Sequence, residues 1–444
     1  MGELNLYILT SNCARSLVDD AFGAHIFDPL GPDALAPDLI VLSLQEIAPI
    51  AYSFIGGTYL APYFDAFVRA VKSATVKRWN ESYVNVVQEN TGMTGLMVFA
   101  KPDAANKISQ VKTGHVSCGF NGLGNKGAVG ARLCYATADH SSETVSLTFV
   151  AAHLAPMEEA LAQRNRDWQT IVEGLVFTNA DTTPEIPPGK QAGSDESTAL
   201  LGDQDQQADN AESSSSHLFA PNSYLFLAGD LNYRTSDTSP SQDDVTRFPR
   251  RDASPEDATH FSHLLKHDQL AREMREGRTF HGLSEAPIHF PPTYKYSSAA
   301  SEAARVSLAN GRSETEWIWS SHRWPSWCDR ILYLDRASQS GDSWVKPRAY
   351  DALPLFPHSD HRPVALAVSV PLRSTDTPSG PETVVAPFAI DPSWRSRRDA
   401  ARRKELVVGI LAYLGLTREG NGLVLASTLG IVGAWVVLRS LWLG

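Results

Sequence analysis

The sequence predicts an α/β fold in which two β-sheets pack face to face and helices cover their outer surfaces. Three observations lead to this class. Short runs of β-branched and aliphatic residues recur along most of the chain, helical periodicity separates only some of them, and polar residues follow where several runs stop. Many strands with few intervening helices are typical of a two-sheet sandwich flanked by helices.

Eight runs are predicted to be strands because apolar residues dominate them and turn-forming residues bound them. They are Leu4 to Leu9, Leu39 to Leu44, Gly95 to Ala100, Ala128 to Tyr135, Val145 to Ala152, Ser223 to Ala228, Arg330 to Tyr333 and Val364 to Val370. Three longer segments carry apolar residues at helical spacing and are predicted to be helices. They are Phe64 to Lys77, Met157 to Phe177 and Glu256 to Glu276.

A segment of distinct composition interrupts this body. Asp181 to Ser216 holds eight acidic residues against one lysine and ends in four serines. Such a segment has almost no apolar surface to bury, and we therefore expect a disordered surface insertion. We predict one domain over residues 1–370, interrupted at 181–216, rather than three domains of ordinary size.

The C-terminal region predicts a linker and then a membrane anchor. Residues 371–405 begin rich in proline and end in a basic stretch, whose cations are Arg395, Arg397, Arg398, Arg402, Arg403 and Lys404. In the apolar tail, 406–444, the segment Gly420 to Leu438 carries no charge. As a helix this segment spans roughly 28 Å, close to the hydrocarbon thickness of a thin bilayer.

A buried C-terminal helix is the alternative for this tail. It is disfavoured because the segment is apolar on every face rather than along one stripe. Basic residues before the span predict that the body faces the cytosol. The short span favours the endoplasmic reticulum, whose bilayer is thin.

The overall composition disfavours other classes of protein. Acidic residues outnumber basic ones by 50 to 39, and this formal net charge of -11 repels nucleic acids. The four cysteines are scattered and form no CxxC pair. They indicate neither a disulfide framework nor a zinc site, so we expect a reducing compartment.

Polar residues stand where predicted strands end, and strand ends on one rim are where sites are assembled. They are Asn12, Glu46, His153, Asp230 and Asn232. The amide and carboxylate oxygens among them are ligands of the kind that Mg²⁺ accepts. A turn or helix-capping role is the alternative for each residue taken alone.

Two carboxylates, Asp230 and Asp329, have neighbours that suggest catalysis. Asp230 and Asn232 are one residue apart, so both side chains lie on one side of an extended chain, where they can activate and hold a water molecule. Asp329 opens a strand and can orient His361, which follows Asp360. A protonated, oriented His stabilises a phosphoryl transition state, although a structural surface pair is the alternative.

A glycine-rich turn, Gly119 to Gly127, contains Asn125 and Lys126 and can cradle phosphate, although it does not match the Walker pattern. At its tip, Phe120 and Leu123 are either core residues or apolar residues that meet a membrane.

Further along the chain, three basic residues lie among aromatic ones such as Tyr294. They are Lys295, Arg323 and Arg330. Basic side chains that bind phosphates, together with aromatic side chains that form rigid walls, suit a multiply phosphorylated head group. Solvated surface charges are the alternative.

Seven motifs follow one another along the chain. They are Leu44 to Glu46, Gly124 to Gly127, His153 to Ala155 with Arg164 and Asn165, Gly229 to Arg234, Pro292 to Tyr296, Pro325 to Arg330 and Ser359 to Pro363. The set resembles the inositol polyphosphate 5-phosphatases of the endonuclease/exonuclease/phosphatase superfamily. The resemblance covers about residues 4 to 370, and the last four motifs are the most specific.

The resemblance implies a four-layer α/β sandwich of the endonuclease/exonuclease/phosphatase type and Mg²⁺-dependent hydrolysis of an inositol 5-phosphate. The implied metal-site residues are Asn12, Glu46 and Asp360. The implied catalytic residues are His153, Asp230, Asn232, Asp329 and His361. The implied substrate-binding residues are Asn125, Lys126, Tyr294, Lys295, Arg323 and Arg330, and the implied lipid-facing residues are Phe120 and Leu123.

The predicted anchor favours a phosphoinositide lipid, phosphatidylinositol 4,5-bisphosphate first, because a shared membrane raises the effective concentration of substrate. We expect a monomer without a nucleic-acid partner. Three alternatives stay open: a soluble inositol polyphosphate 5-phosphatase, another hydrolase of the superfamily such as a nuclease or sphingomyelinase, and an inactive lipid-binding protein. His322 stands where the family often has a second base, so a weaker grip on the 4-phosphate is expected.

Overall fold

The structure is a computed structural model, and it describes residues 2–137, 143–179, 216–220, 223–312, 316–335, 344–372 and 385–443. The predicted disordered insertion, Asp181 to Ser216, lies outside the described residues apart from Ser216. Residues 373–384 of the predicted linker also lie outside the described residues.

Two β-sheets form the centre of the fold. The strands are β1 (Glu3–Asn12), β2 (Leu39–Gln45), β3 (Val84–Thr91), β4 (Thr94–Ala100), β5 (Ile108–Ser117), β6 (Gly127–Ala136), β7 (Thr144–His153), β8 (Thr178–Asn179), β9 (Ser223–Asp230), β10 (Leu283–Glu285), β11 (Asp329–Leu334), β12 (Lys346–Ala352) and β13 (Val364–Pro371). The first sheet has the order β12-β13-β1-β2-β4-β3, and the second has the order β10-β11-β9-β7-β6-β5-β8. All eight predicted strands are present, with bounds that differ by a few residues.

Helices flank the two sheets, and some of them cover the outer faces of those sheets. They are α1 (Asp20–His25), α2 (Ile50–Ile55), α3 (Ala61–Trp79), α4 (Pro102–Ala105), α5 (Leu161–Gly174), α6 (Phe261–Leu265), α7 (Gln269–Arg275), α8 (Ser298–Ala309), α9 (Trp394–Leu416) and α10 (Arg418–Leu443). α1 and α3 share an apolar core with the first sheet, and α5 shares one with the second. The four layers of the predicted α/β sandwich are therefore confirmed.

The largest apolar core lies between the two sheets. Phe149 of β7 and Phe226 of β9 stack there with ring centroids 5.8 Å apart, and Ile8 of β1 belongs to the same cluster. The next residue, Leu9, belongs instead to the core under α1 and α3. Alternation along each strand therefore supplies both the core between the sheets and the core under the helices.

Two of the three predicted helices differ from the structure. Glu256 to Glu276 forms two short helices, α6 and α7, rather than one. The Asp268 side chain accepts a hydrogen bond from the Ala271 amide at 2.9 Å and caps α7, a position that Asp prefers to a helix interior. Met157 to Phe177 contains the α-helix α5, which occupies only its middle.

The C-terminal region departs from the predicted linker. Residues 394–405 form the first half of α9, which packs on α2 and buries Ala401 and Glu405. Tertiary contacts thus order a stretch whose composition is typical of a linker.

The predicted apolar helix is present as α10, and it is longer than the predicted span. Its window from Arg418 to Trp442 is long and apolar enough to cross a membrane, and none of that window is buried by the described chain. The structure therefore does not bear out the alternative of a buried C-terminal helix.

Arg330 was expected to bind substrate, but the structure buries it inside the fold, with 1% of its surface exposed. Its Nη1 donates to Asp268 at 3.0 Å, and its Nε donates to Glu285 at 2.7 Å. Side chains alternate along β11, so Arg330 faces away from the side occupied by its neighbour Asp329. The assignment of Arg330 to substrate binding is therefore wrong, and Arg330 is a structural cation.

Replacing Arg330 with methionine is predicted to destabilise the protein strongly. Arg330→Met leaves two carboxylates inside the fold without their cation, and breaking a buried pair in this way costs about 3–5 kcal/mol in the free energy of unfolding. Arg305→Met is the matched control, because Arg305 pairs with Glu302 on the surface, where a pair contributes about 0–1 kcal/mol. Chemical denaturation compares the two variants, and equal stability would contradict the structural role of Arg330.

Candidate active site

Strand register brings the predicted site residues to one rim of the sandwich. β7 and β9 run parallel with His153 opposite Asp230, and β9 and β11 run antiparallel with Asp329 opposite Asp230. In the first sheet, β1 ends at Asn12 beside the end of β2, and Glu46 follows β2 directly. The backbone alone therefore sets the spacing of the site.

The carboxylate of Asp230 is the centre of this cluster. It is 1% exposed, and its Oδ2 accepts a hydrogen bond from the side-chain amide of Asn12 at 3.0 Å. The same oxygen lies 3.3 Å from Nε2 of His153 and 3.8 Å from Nε2 of His361. Burial alone would raise the pKa of Asp230, but the neighbouring positive charges, that of His361 first, outweigh it and hold the pKa well below its usual value. Asp230 is therefore ionised at physiological pH.

A second carboxylate, that of Asp329, contacts the ring nitrogen of His361 that faces away from Asp230. Nδ1 of His361 lies 2.9 Å from Oδ2 of Asp329, and that oxygen also accepts a hydrogen bond from the Thr293 hydroxyl at 2.7 Å. Burial alone would lower the pKa of His361, but the carboxylates of Asp329 and Asp230 raise it to about 9. His361 is therefore a protonated, oriented imidazolium at neutral pH, in the geometry that stabilises charge on a phosphate.

Lys126 reaches the cluster from the glycine-rich loop before β6. Its Nζ lies within hydrogen-bond distance of Nε2 of His153, and burial lowers the pKa of Lys126. Burial and the Lys126 charge also lower the pKa of His153, which keeps that imidazole neutral. In the same loop, Oδ1 of Asn125 is buried and has no hydrogen-bond partner within the described part of the chain. The loop thus adds one cation to the site, whereas Oδ1 of Asn125 is packed against Gly119 within the loop.

The predicted metal residues lie around the same rim. Glu46 has a left-handed φ of 46°, and its Oε2 lies 3.0 Å from Nε of Arg15. Oδ2 of Asp360 pairs with Nζ of Lys295 at 2.7 Å. Asn12 contacts Asp230 through its side-chain amide, as described above.

Oxygen donors dominate the part of the rim next to the first sheet, and this chemistry fits Mg²⁺. Glu46 and Asp230 belong to one electrostatic cluster with His153. A different group, Asp230 with Asp329 and His361, places its ligand atoms within 4.8 Å of one another. That group fits a metal less well, because His361 is protonated and its Nδ1 is paired with Asp329. The oxygens near Asn12 and Glu46 are therefore the better fit.

Of the predicted substrate-binding residues, Lys295 lines an open cleft next to the rim, whereas Tyr294 and Arg323 lie outside its lining. Tyr294 packs its ring against His361 with centroids 4.4 Å apart. Lys295 borders a cleft of about 670 Å³. Arg323 lies 3.8 Å from the buried carboxylate of Glu158. Both cations are partly exposed, but only Lys295 lies in the cleft, where it is joined by Arg15 and by the carboxylate of Asp360.

Asn232 lies next to Asp230, but most of its polar groups are already engaged. Its backbone amide donates to Oδ1 of Asp230 at 3.1 Å, and its Nδ2 donates to the Leu154 carbonyl at 3.1 Å. Its Oδ1 accepts a hydrogen bond from Arg234. One amide hydrogen of Asn232 is left for a water molecule or a phosphate.

The loop that was expected to face lipid exposes one large apolar side chain. Phe120 is 78% exposed, whereas Leu123 is half-buried. Phe120 therefore has the exposure that contact with a membrane requires, and Leu123 has it only in part.

Two residues that were not selected from the sequence also shape the site. The Ser359 hydroxyl donates to the Asn12 carbonyl at 2.7 Å and accepts from the His361 amide at 3.1 Å, so it ties the segment before β13 to the end of β1 at the rim. The buried guanidinium of Arg234 lies over the Tyr294 ring, 4.4 Å from its centroid. Ser359 and Arg234 both lie inside sequence motifs described above. Their membership in those motifs is the signal that would have identified them.

Comparison with known proteins identifies relatives of this chain. Residues 9–367 match the family described as Endonuclease/Exonuclease/phosphatase family 2. Polyphosphatidylinositol phosphatase INP53 of Saccharomyces cerevisiae is 27% identical over 350 residues, which cover 78% of this chain and 25% of that protein. Type II inositol polyphosphate 5-phosphatase 15 of Arabidopsis thaliana is 29% identical over 366 residues, which cover 78% of this chain and 30% of that protein. The chain thus spans between a quarter and a third of the length of these relatives.

A solved structure shares the fold. The inositol polyphosphate 5-phosphatase domain of SPSYNAPTOJANIN, in complex with inositol (1,4)-bisphosphate and calcium ion, has a TM-score of 0.56 and 22% sequence identity. The similarity covers 91% of this chain and 90% of that one. The family match extends over every residue of the rim from Asn12 to His361. The chain therefore belongs to the endonuclease/exonuclease/phosphatase family 2.

Proposed function

We propose that this protein is a Mg²⁺-dependent phosphatase that removes the 5-phosphate of a phosphoinositide, converting phosphatidylinositol 4,5-bisphosphate to phosphatidylinositol 4-phosphate. The observation that carries the proposal is the buried Asp230 carboxylate, which lies between His153 and His361, close to an open cleft that Lys295 lines. Relatives named as inositol polyphosphate 5-phosphatases support the choice of the 5-phosphate.

In this mechanism, Asp230 orients the attacking water and receives its proton. The carboxylate is ionised at physiological pH because the neighbouring cations lower its pKa. Phosphoryl transfer passes through a loose transition state, in which positioning of the nucleophile matters more than its deprotonation. A carboxylate of low pKa is therefore sufficient. Asn232 has one amide hydrogen left to hold the same water or the phosphate.

His361 stabilises the negative charge that develops on the scissile phosphate. A pKa of about 9 keeps its Nε2 protonated, and Asp329 fixes the ring through Nδ1. Lys126 contributes a further positive charge through its contact with His153. Mg²⁺, when held by the oxygens near Asn12 and Glu46, would neutralise charge on the phosphate oxygens.

Residues in and near the cleft are proposed to bind the rest of the head group. Lys295 and Arg323 are the cations for the 4-phosphate, and Asp360 orients Lys295 through their pair at 2.7 Å. Tyr294 forms a rigid wall, because His361 packs on its ring and Arg234 lies over it.

The C-terminal helices favour a lipid over a soluble inositol phosphate. The window from Arg418 to Trp442 of α10 is apolar and unburied, and Lys404 of α9 donates to the Asn121 carbonyl at 2.8 Å. The basic helix and the exposed Phe120 therefore lie on the same side of the protein. We propose a single-pass C-terminal anchor, a body that faces the cytosol, a monomeric state and, from the short uncharged segment Gly420 to Leu438, the endoplasmic reticulum.

Removing the Asp230 charge is predicted to abolish most of the activity. With the full chain in detergent micelles, Mg²⁺ and short-chain phosphatidylinositol 4,5-bisphosphate, Asp230→Asn should lower kcat about 10²–10⁴-fold, the usual contribution of a positioned base. Asp237→Asn, a change at an exposed carboxylate, serves as the control. Phosphate release measures both variants, and equal rates would refute the role of Asp230.

Activity is also predicted to depend on Mg²⁺ through Glu46. Chelation should stop phosphate release and added Mg²⁺ should restore it. Glu46→Gln should raise the Mg²⁺ concentration for half-maximal activity by about tenfold or more, because a coordinating charge is lost. Glu256→Gln, on the surface, is the control. Activity that persists in excess chelator would contradict the metal assignment.

Removing α10 is predicted to release the protein from membranes. A chain that ends at Thr417 keeps α9 but lacks the apolar helix. After fractionation of cells that express both forms, the full chain should sediment with membranes and the shortened chain should stay in the soluble fraction. Equal membrane retention of the two forms would refute the anchor.

A further inference from the structure

Helix α9 fits closely against α2, the short helix that follows Glu46. A Cβ atom added to Gly409 would lie 2.9 Å from Cβ of Phe54, so the two helices approach as closely as glycine allows. Arg402 donates to the carbonyls of Phe54 and Ile55, at 2.6 and 3.1 Å, and so satisfies the last turn of α2. Close packing and directed hydrogen bonds show that α9 is docked on α2, and that it does not merely lie on the protein surface.

The same helix also contacts both ends of the glycine-rich loop. Glu405 is 3% exposed, and its Oε1 accepts a hydrogen bond from the Ser117 hydroxyl at 3.0 Å. On the other side of the loop, a Cβ on Gly124 would lie 2.3 Å from that same oxygen. Lys404 donates to the carbonyl of Asn121 at the loop tip. One buried carboxylate from the tail thus joins the start and the end of the loop.

Glu405 is an unusual residue to bury in this helix. Its surroundings in the sequence are basic, and an isolated buried carboxylate is costly unless it gains hydrogen bonds. Burial raises the pKa of Glu405, while the Ser117 hydroxyl and the Arg402 charge offset part of that effect. The docked state therefore depends partly on contacts outside α9, at Ser117 and Gly124.

Short backbone connections lead from this contact to the catalytic cluster. The Gly124 carbonyl accepts a hydrogen bond from the Met93 amide at 2.9 Å, and the Met93 carbonyl accepts one from the Ile47 amide at 3.2 Å. Ile47 is the neighbour of Glu46 in the chain. In the other direction, Lys126 follows Gly124 by two residues and reaches His153.

Docking of α9 extends almost to the start of α10. The Tyr413 ring packs on that of Tyr59 with centroids 5.2 Å apart, and Thr417 alone separates the two helices. The rim and the apolar helix are therefore linked without a flexible spacer.

We propose that α9 is a positioning element of the active site: docked through Glu405, it holds the glycine-rich loop and α2 in place and fixes the rim relative to the apolar helix. The expected effect of α9 docking on catalysis rests on the proposed phosphatase function. The expected effect on the loop is independent of that function, since the loop is held whatever reaction the site performs.

Hydrogen exchange in the full chain, kept in detergent micelles, tests the contact itself. Glu405→Ala should speed exchange of the amides in 119–127 and leave the central strands β1 and β7 unchanged. Glu405→Gln keeps the acceptor for Ser117 and should restore slow exchange. Asp399→Ala is the matched control, because it removes an exposed carboxylate from the same helix.

Kinetics with the soluble short-chain substrate test the effect on the site. Glu405→Ala should raise KM about tenfold and lower kcat less, because Lys126 is displaced rather than removed. Glu405→Gln and Asp399→Ala should behave as the wild type. Gly409→Leu, which separates α9 from α2, should reproduce the effect of Glu405→Ala on both exchange and KM.

Two results would overturn the proposal. One is equal loop exchange in Glu405→Ala and Asp399→Ala. The other is faster exchange in β1 and β7 as well as in the loop, which would indicate general destabilisation. A wild-type chain that releases no phosphate would refute the proposed function instead, and the exchange comparison would still decide whether α9 holds the loop.

Discussion

The burial of one ionised carboxylate, Asp230, is the constraint on which the site depends. A carboxylate removed from water is unstable without compensating charges and hydrogen bonds. Here a hydrogen bond from Asn12 and the nearby rings of His153 and His361 provide them. These partners come from β1, from β7 and from the segment before β13, so both sheets must meet at this rim. The carboxylate that would activate the water molecule is therefore stable as an anion only where the fold brings these partners around it.

Much of the fold and of the site follows from local pattern. Apolar runs mark the strands of the two sheets, and the polar residues that end those runs meet because neighbouring strands stop together. The adjacency of His153, Asp230 and Asp329 is therefore implicit in strand order. Five strands were not predicted: β3, β5 and β12 are partly exposed and mix polar with apolar residues, and β8 and β10 have only 2 and 3 residues.

Two expectations failed for reasons beyond local pattern. Arg330 lies in a motif with catalytic neighbours, yet alternation along β11 turns it toward Asp268 and Glu285, which are distant in sequence. The basic stretch before the tail has the composition of a linker, and only contacts with α2 and with the glycine-rich loop make it part of the domain. In both cases tertiary contacts decide, and no short window of sequence contains them.

The bond broken at the Asp230 cluster can be identified from products formed in H₂¹⁸O. Short-chain phosphatidylinositol 4,5-bisphosphate, the full chain and Mg²⁺ should yield phosphate that carries one ¹⁸O, together with unlabelled phosphatidylinositol 4-phosphate; Asp230→Asn should suppress both. Mass spectrometry of the products distinguishes this result from the results that would contradict it. Release of diacylglycerol, loss of the 4-phosphate, or ¹⁸O in the inositol ring would contradict attack of an Asp230-bound water on the 5-phosphorus.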